Sequence, residues 1–184
     1  MLKNNCKTDK FTAHTYLETY EKLLDNRVDT IKNVLEVGVE YGGSMELWSQ
    51  YIPNAHIYGV DLNPLPFDFD FKSDRMTHLL GDAYRVEFIR NNFNGVMFDL
   101  LIDDGSHRYD DMIFFAKHYS KLLAPSGILI IEDIPNIDWV KDIIFALPRE
   151  LSTDFSLSTL KYEIVDNRHI NNRWDDILLV VGNI

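Results

Sequence analysis

The chain has 184 residues, of which 46% are hydrophobic, so we expect one domain that buries a sizeable core. Its 29 acidic residues outnumber its 18 basic ones, and no run of Lys or Arg could follow a phosphate backbone, which argues against nucleic acid as a partner. Cys6 is the only cysteine and no apolar stretch is long enough to span a bilayer, so we expect a cytoplasmic protein without disulfides, cysteine-rich zinc sites or membrane contact.

Apolar residues alternate along the chain between helix-like and strand-like spacing, which is typical of a parallel sheet with crossover helices. The predicted helices cover 14–25, 43–51, 85–93, 109–123 and 137–147, and the predicted strands between them cover 33–37, 55–60, 76–80, 98–102 and 127–132. Two more strand-like runs, 160–165 and 177–182, flank a linker without a helical stripe, and we predict an antiparallel hairpin at one sheet edge. The expected fold is a Rossmann-like, doubly wound, mostly parallel α/β sheet of seven strands within a single domain over 1–184.

A loop containing glycines follows the first predicted strand, where doubly wound folds bind a nucleotide-bearing cofactor. It runs from Glu36 to Gly43, with Gly38 permitting a tight turn, Gly42 a close backbone approach, and Glu40 replacing the middle glycine of the dinucleotide fingerprint. A pyrophosphate would be repelled by the two glutamates, whereas the sulfonium and ammonium groups of S-adenosylmethionine would be attracted. The loop therefore favours S-adenosylmethionine over NAD, FAD or ATP; a turn that binds no ligand is the alternative.

Acidic residues also end the next two predicted strands. Asp61 can accept two hydrogen bonds from ribose hydroxyls, and Asp82 with the backbone amide of Ala83 can hold an adenine edge. Taken singly, each aspartate could instead cap a turn or a helix. Together with the glycine loop, these acids at successive strand ends predict a cofactor site.

The most informative motifs end the fourth and fifth predicted strands, at 103–107 and 132–133. If these strands are parallel neighbours, Asp104, His107 and the acidic pair 132–133 meet at one edge of the sheet. Carboxylate oxygens suit Mg²⁺ better than zinc, and an imidazole beside them can act as a base. The alternatives are that Ser106 merely caps the next helix and that the acidic pair is a solvated strand end.

These motifs resemble class I S-adenosylmethionine-dependent methyltransferases, and more closely the metal-dependent sugar O-methyltransferases of the macrocin and mycinamicin type. The resemblance covers nearly the whole chain, and its specific part is the Asp-Asp-Gly-Ser-His run with the Glu-Asp pair. It implies that Asp104, Glu132 and Asp133 ligate Mg²⁺. His107 and Asp104 would be catalytic, with His107 as the general base. It also implies a cofactor site composed of Lys10, His14, Tyr16, Glu36, Gly38, Gly42, Asp61, Asp82, Ala83 and Asp103. Asp103 would lie near the methionine end of the cofactor, and which of the two adjacent aspartates faces the metal stays open.

The implied reaction is methyl transfer from S-adenosylmethionine to a hydroxyl of a sugar or glycan, for which a deoxysugar such as rhamnose is a suitable acceptor. The amino-terminal helical segment 1–30 is expected to contribute to the site. The loop 166–176 offers donors and a ring for a polyhydroxylated acceptor, or else a contact in a homo-oligomer.

Three alternative functions stay open. A catechol-type O-methyltransferase would use Trp139, Trp174 and Phe67 as an aromatic acceptor pocket. An NAD-dependent oxidoreductase would share the fold, and a non-catalytic nucleotide-binding domain would share the cleft. Acceptor screening and a binding titration with each cofactor distinguish them.

Overall fold

The computed structural model describes residues 6–184 except 72, 149, 153–154, 157–160 and 183. Its strands are β1 (Asn33–Val37), β2 (His56–Asp61), β3 (Met76–Leu80), β4 (Phe98–Asp103), β5 (Leu123–Ile131), β6 (Glu150–Ser152), β7 (Phe155–Ser156), β8 (Lys161–Asp166) and β9 (Ile177–Gly182). Its helices are α1 (Leu17–Leu24), α2 (Gly43–Tyr51), α3 (Val86–Phe93), α4 (Tyr109–His118), α5 (Trp139–Ala146) and α6 (Arg168–Asn171), with 3₁₀ turns at Asp9–Phe11 and Tyr119–Leu122.

The main sheet has seven strands in the order β3-β2-β1-β4-β5-β9-β8, and β6 and β7 form a separate small hairpin. The first five strands in this order, which are β3, β2, β1, β4 and β5, pair in parallel. In contrast, β9 runs antiparallel to both β5 and β8. This order confirms the predicted mostly parallel fold with an antiparallel carboxy-terminal hairpin. The order reverses between β1 and β4, which is where doubly wound sheets bind their ligands.

The register of the central strands brings their carboxyl ends to one level. Val37 is opposite Asp103, and Asp103 is opposite Ile131. The backbone amide of Asp104 donates to the carbonyl of Val37 at 2.8 Å, and the amide of Glu132 donates to the carbonyl of Asp103 at 2.9 Å. The residues that follow β1, β4 and β5 therefore leave the sheet side by side, as the sequence predicted.

Both faces of the sheet are covered, because the side chains of the central strands are apolar in both directions. On one face, Ile102 and its neighbours pack with Tyr20 of α1 and Trp48 of α2. On the other face, Leu101 and its neighbours pack with Phe93 of α3 and Phe115 of α4. None of the described helices is both long and apolar enough to cross a membrane.

Several predicted boundaries differ from the observed ones. The first helix begins only at Leu17, because a 3₁₀ turn precedes it, and the helix expected over 109–123 ends at His118 and continues as a second 3₁₀ turn. β5 begins four residues before the expected 127, across an irregularity in its pairing with β4. The linker 166–176 contains the short helix α6, which was not predicted. Residue 160, the predicted start of β8, and residues 1–5 lie outside the described residues.

Candidate functional site

Two clefts lie at the carboxyl ends of the parallel strands, on either side of Gly38. The first cleft has a volume of about 270 Å³ and is lined by 7–9, 38–41, 43–44, Asp61, 104–105 and His107. The second cleft has a volume of about 150 Å³ and is lined by 37–38, 60–63, 81–84 and 105–106. Gly38 has a positive φ of 85°, and a Cβ there would collide with the backbone of Asp104. Glycine is thus required where β1 turns against the end of β4.

Asp61 shapes the glycine loop. One of its carboxylate oxygens accepts hydrogen bonds from the backbone amides of Val39 and Glu40, at 3.1 Å and 2.9 Å. Its other oxygen accepts from the amide of Asn63 at 2.9 Å. Asp61 lines both clefts, and it therefore fixes the wall between them while keeping lone pairs for a ligand.

Asp82 and Ala83 lie on the far wall of the second cleft. One Asp82 oxygen accepts from the amide of Tyr84 at 3.0 Å, and the other accepts from Nε of Arg85 at 2.8 Å. The structure thus brings Asp61, Asp82 and Ala83 together around one cleft. Their contacts with a ribose and an adenine stay a prediction.

Asp104, His107 and Asp133 each place one possible ligand atom within 4.8 Å of the others. We call these three residues the metal group. His107 Nε2 lies 3.9 Å from Asp133 Oδ2, and His107 Nδ1 is buried with no hydrogen-bond partner among the described residues. Both His107 and Asp133 have a φ of 53°, a strained conformation that residues other than glycine rarely adopt and that is often found at functional sites.

Glu132, the third predicted metal ligand, points to other partners. Its carboxylate accepts from Lys10 Nζ at 2.6 Å and from the hydroxyl of Tyr20. Lys10 Nζ also contacts Asp104 Oδ2 at 2.7 Å and Glu36 Oε1 at 3.0 Å. Burial disfavours the ammonium, but the three carboxylates outweigh that effect and raise the pKa of Lys10 well above its usual value. Lys10, predicted to bind the cofactor, therefore lies among the carboxylates and lines neither cleft.

His14 and Tyr16, also predicted to bind the cofactor, lie behind Asp133 instead. The Tyr16 hydroxyl donates to Asp133, and His14 Nδ1 lies 3.1 Å from Asp133 Oδ1 and 3.3 Å from Asp176 Oδ1. Thr15 Oγ1 donates to Asp176 at 2.9 Å. Burial, together with the charge of Asp104, raises the pKa of Asp133 to about 8. The amino-terminal segment therefore orients a carboxylate of the metal group.

Asp103 points to the face of the sheet opposite Lys10. Its Oδ1 accepts from the hydroxyl of Tyr84 at 2.6 Å, and burial raises its pKa to about 7. The resemblance implies that Asp103 lies near the methionine end of a cofactor, which stays a prediction. The structure places its carboxylate against the hydroxyl of Tyr84, a residue that lines the second cleft. The cause is the alternation of side chains along β4, and it leaves Asp104 as the aspartate of the metal group.

Four residues that hold the predicted site residues in place were not predicted from the sequence. These residues are Tyr20 on Glu132, Trp48 on Glu36, Tyr84 on Asp103, and Asp176 on His14. Their spacing carries no recognisable motif. The usable signal is that a buried Tyr or Trp needs a partner for its O–H or N–H, and carboxylates at buried strand ends are such partners.

Replacing Trp48 by phenylalanine should destabilise the fold. Trp48 Nε1 donates to Glu36 Oε2 at 3.0 Å, and both side chains are fully buried. Phenylalanine keeps most of the packing but leaves a buried carboxylate oxygen without this donor, so we expect the free energy of unfolding to fall by about 1–3 kcal/mol. Urea denaturation measures it, with Trp174→Phe as the control because Trp174 is 65% exposed. Equal losses in the two variants would contradict a role for the hydrogen bond.

Residues 35–134, more than half of the chain, match a family model described as a methyltransferase domain. The matched segment begins within β1 and ends just after Asp133, so it contains the glycine loop and the metal group. The chain belongs to this methyltransferase domain family.

Curated relatives of this methyltransferase domain are larger enzymes. The 8-demethyl-8-α-L-rhamnosyl tetracenomycin-C 2′-O-methyltransferase of Streptomyces olivaceus is 26% identical over 140 residues, which cover 72% of this chain and 36% of that enzyme. The mycinamicin VI 2″-O-methyltransferase of Micromonospora griseorubida is 28% identical over 141 residues, which cover 72% of this chain and 35% of that enzyme. This methyltransferase domain thus aligns with little more than a third of the length of these relatives.

Among solved structures, the methyltransferase domain is similar to the MycE methyltransferase of the mycinamycin biosynthetic pathway, crystallised with Mg and S-adenosylhomocysteine. The TM-score is 0.62 with 27% identity, over 68% of this chain and 36% of that one. A structure from Staphylococcus aureus that was assigned as a caffeoyl-CoA O-methyltransferase shares the fold. The TM-score is 0.60 with 18% identity, over 92% of this chain and 83% of that one.

Proposed function

We propose that this methyltransferase domain transfers a methyl group from S-adenosylmethionine to a hydroxyl of a sugar or glycan, with the help of Mg²⁺. The observation that carries the proposal is the meeting of Asp104, His107 and Asp133 at the edge of the first cleft. The names of the relatives refer to methylation of a rhamnosyl group and of mycinamicin, and MycE was crystallised with Mg and S-adenosylhomocysteine. These features support a glycoside such as a rhamnoside as the acceptor.

The residues of the metal group fit a hard divalent ion. Two carboxylates and an imidazole converge within 4.8 Å, and the Nδ1 atom of His107 has no partner among the described residues. Burial raises the pKa of Asp133, and the nearby charge of Asp104 raises it further, so a cation beside these carboxylates would be stabilising. We assign Asp104 and Asp133 as the residues that would hold Mg²⁺.

The two clefts fit the two ends of S-adenosylmethionine. The first cleft is lined by Asp9, Glu40, Asp61 and Asp104 against a single Lys7, which suits a ligand with a sulfonium and an ammonium group. The second cleft has a mainly apolar lining with Asp82 on its wall, which suits a flat heterocycle. We therefore propose Gly38, Asp61, Asp82 and Ala83, which line these clefts, as the cofactor site. Glu36, Gly42 and Asp103 line neither cleft, and their part in binding stays a prediction.

The mechanism we propose assigns the proton to His107. When bound, S-adenosylmethionine would supply the methyl group, and Mg²⁺ held by Asp104 and Asp133 would lower the pKa of the acceptor hydroxyl. Burial lowers the pKa of His107, so its imidazole is neutral near pH 7 and can accept that proton at Nε2. The carboxylates of Asp104 and Asp133 lie beside the ring and stabilise the imidazolium that forms. Lys10, His14 and Tyr16 hold these carboxylates in place.

Removal of the metal should abolish the reaction. We expect methylation of a rhamnoside by S-adenosylmethionine with Mg²⁺, a loss of about 100-fold or more in excess EDTA, and recovery when Mg²⁺ is added back. Mass spectrometry of the acceptor measures each rate. Full activity in EDTA would show that the reaction does not need the metal. Methylation of catechols but not of glycosides would show that the acceptor is a catechol and not a sugar. Tighter binding of NAD than of S-adenosylmethionine would contradict the proposed cofactor.

A further inference from the structure

The connection between β8 and β9 has an anchored base and an exposed tryptophan. We call residues 167–176, which include α6, the α6 loop. The backbone amide of Asn167 donates to the carbonyl of Asp176 at 2.8 Å, and the Asn167 side chain donates to the carbonyl of Thr15 at 3.2 Å. In contrast, Trp174 is 65% exposed. The α6 loop therefore presents an indole to solvent from a fixed base.

Asp175, the neighbour of Trp174 in the sequence, connects the α6 loop to the metal group. The hydroxyl of Tyr16, which donates to Asp133, also lies 3.5 Å from the carbonyl oxygen of Asp175. Burial has the largest effect on the pKa of both His107 and Asp133, and the nearby negative charge of Asp175 raises both values. The exposed indole is thus one residue away from a carboxylate that acts on the metal group.

The carboxylate of Asp175 is buried, and one of its oxygens is unused. Arg173 Nη2 donates to Asp175 Oδ2 at 3.2 Å. Asp175 Oδ1 lies 3.0 Å from Arg173 Nε, but the two atoms are not aligned for a hydrogen bond, and neither has a hydrogen-bond partner among the described residues. Buried polar atoms normally have partners, so this pair is suited to a ligand. A hydroxyl group fits it, because a hydroxyl can donate to the carboxylate and accept from the guanidinium.

The acceptor has to approach the metal group from the side of the α6 loop. Displacement at the methyl carbon requires the acceptor oxygen to lie opposite the leaving sulfur, and the proposed cofactor occupies the two clefts. Asp133 and Asp175 line neither cleft. A sugar with one hydroxyl at the metal group therefore extends its ring away from the clefts, towards Asp175 and Trp174.

We propose that Asp175 and Trp174 form the subsite that binds the sugar ring of the acceptor. Asp175 Oδ1 accepts a hydrogen bond from a hydroxyl that is not methylated, and the indole of Trp174 stacks on the apolar face of the ring. Sugar rings combine C–H faces with hydroxyl edges, so an aromatic plane beside a carboxylate recognises both. The inference rests on the proposed function, because it places a sugar acceptor at the metal group.

The test is the steady-state kinetics of the full chain with methyl α-L-rhamnoside as acceptor, at saturating S-adenosylmethionine and Mg²⁺. Trp174→Ala removes the stacking surface, so we expect the KM for the rhamnoside to rise by about tenfold. The kcat should stay within about threefold of the wild type, because the ring is bound equally in the ground state and the transition state. Trp174→Phe keeps an aromatic plane and should raise KM by less than about threefold. Phe145→Ala is the matched control, because Phe145 is an 85% exposed aromatic residue near the end of α5, and it should leave KM unchanged.

Asp175→Asn tests the hydrogen bond to the acceptor. The amide lacks the negative charge that strengthens this bond, so we expect KM to rise by about tenfold. Asp166→Asn is the matched control. Asp166 also pairs with an arginine two residues away, Arg168, at 2.7 Å, but this pair is exposed. The control should leave KM within about twofold of the wild type.

A calorimetric titration with the same rhamnoside, in the presence of MgCl₂ and S-adenosylhomocysteine, separates binding from turnover. The dissociation constant should rise in Trp174→Ala and Asp175→Asn as KM does. Wild-type values of both quantities in either variant, or a fall in kcat alone, overturn the inference and leave the proposed function standing. A wild type that binds the rhamnoside through these residues without methylating it supports the subsite and overturns the proposed function. A wild type that neither binds nor methylates the rhamnoside overturns both.

Discussion

Replacing His107 by alanine is expected to lower kcat by about 10²- to 10⁴-fold, the usual contribution of a general base. Binding of S-adenosylhomocysteine should be unchanged, because in the proposed mechanism the imidazole acts on the acceptor and not on the cofactor. The wild-type rate should fall as the pH is lowered through the pKa of His107, since a protonated ring cannot accept a proton. Burial lowers that pKa, so the fall should occur below the ordinary value of about 6.5 and should be absent from the variant.

The control for this experiment is His118→Ala. His118 is the last residue of α4, and its ring stacks on Phe114 at 4.3 Å, away from the strand ends. We expect its kcat to stay within about twofold of the wild type, as is usual for a change outside the site. A His107→Ala variant with the wild-type rate and pH profile would show that another group takes the proton.

Replacing Gly38 by alanine should damage both the fold and the proposed cofactor site. The residue has a φ of 85°, and a Cβ would collide with the carbonyl group of Asp104 and with Gly105. The left-handed conformation alone costs an L-residue about 1–2 kcal/mol. Because both collisions are with backbone, which cannot rotate away, we expect a total loss of more than about 3 kcal/mol in the free energy of unfolding. S-adenosylhomocysteine should bind at least about tenfold more weakly, since both clefts share this wall.

Gly95→Ala separates the two causes. Gly95 has a similar φ of 79°, but a Cβ there would meet nothing within 4 Å. This variant should therefore lose only the conformational cost of about 1–2 kcal/mol and should bind the cofactor normally. Urea denaturation and calorimetry measure both effects. Similar stability losses in the two variants would mean that the end of β4 moves aside to accommodate the side chain.

The sequence predicted the main sheet well because buried parallel strands consist of nearly continuous apolar runs. Leu100 to Ile102 and Ile128 to Ile131 are such runs, and both are fully buried. The short helix α6 could not be predicted, because its four residues are too few to show a helical stripe. The start of α1 was missed because Tyr16, which continues the apolar pattern, lies just before the helix with its hydroxyl on Asp133.

Only the part of the site that follows from the strand order of the sheet could be predicted from the sequence. Adjacent parallel strands dictate that Asp104 and the pair 132–133 lie together, and that requires only the strand order. The position of Lys10 follows from the path of an amino-terminal segment that belongs to no strand of the sheet, and from a long side chain with many rotamers. Local spacing carries no information about either. The direction of Asp103 was predictable in principle, because it follows from the alternation along β4.

The contacts of Asp176 have a consequence for how this protein folds. Asp176 immediately precedes β9, which pairs between β5 and β8, and it binds His14 and Thr15 from the opposite end of the sequence. Such non-local contacts form late, since the loop-closure entropy must be overcome first. A nascent chain that does not yet contain β9 cannot hold His14 against Asp133 in this way. The contacts that place His14 against Asp133 and Asp176 are therefore completed only after β9 has been synthesised and has paired between β5 and β8.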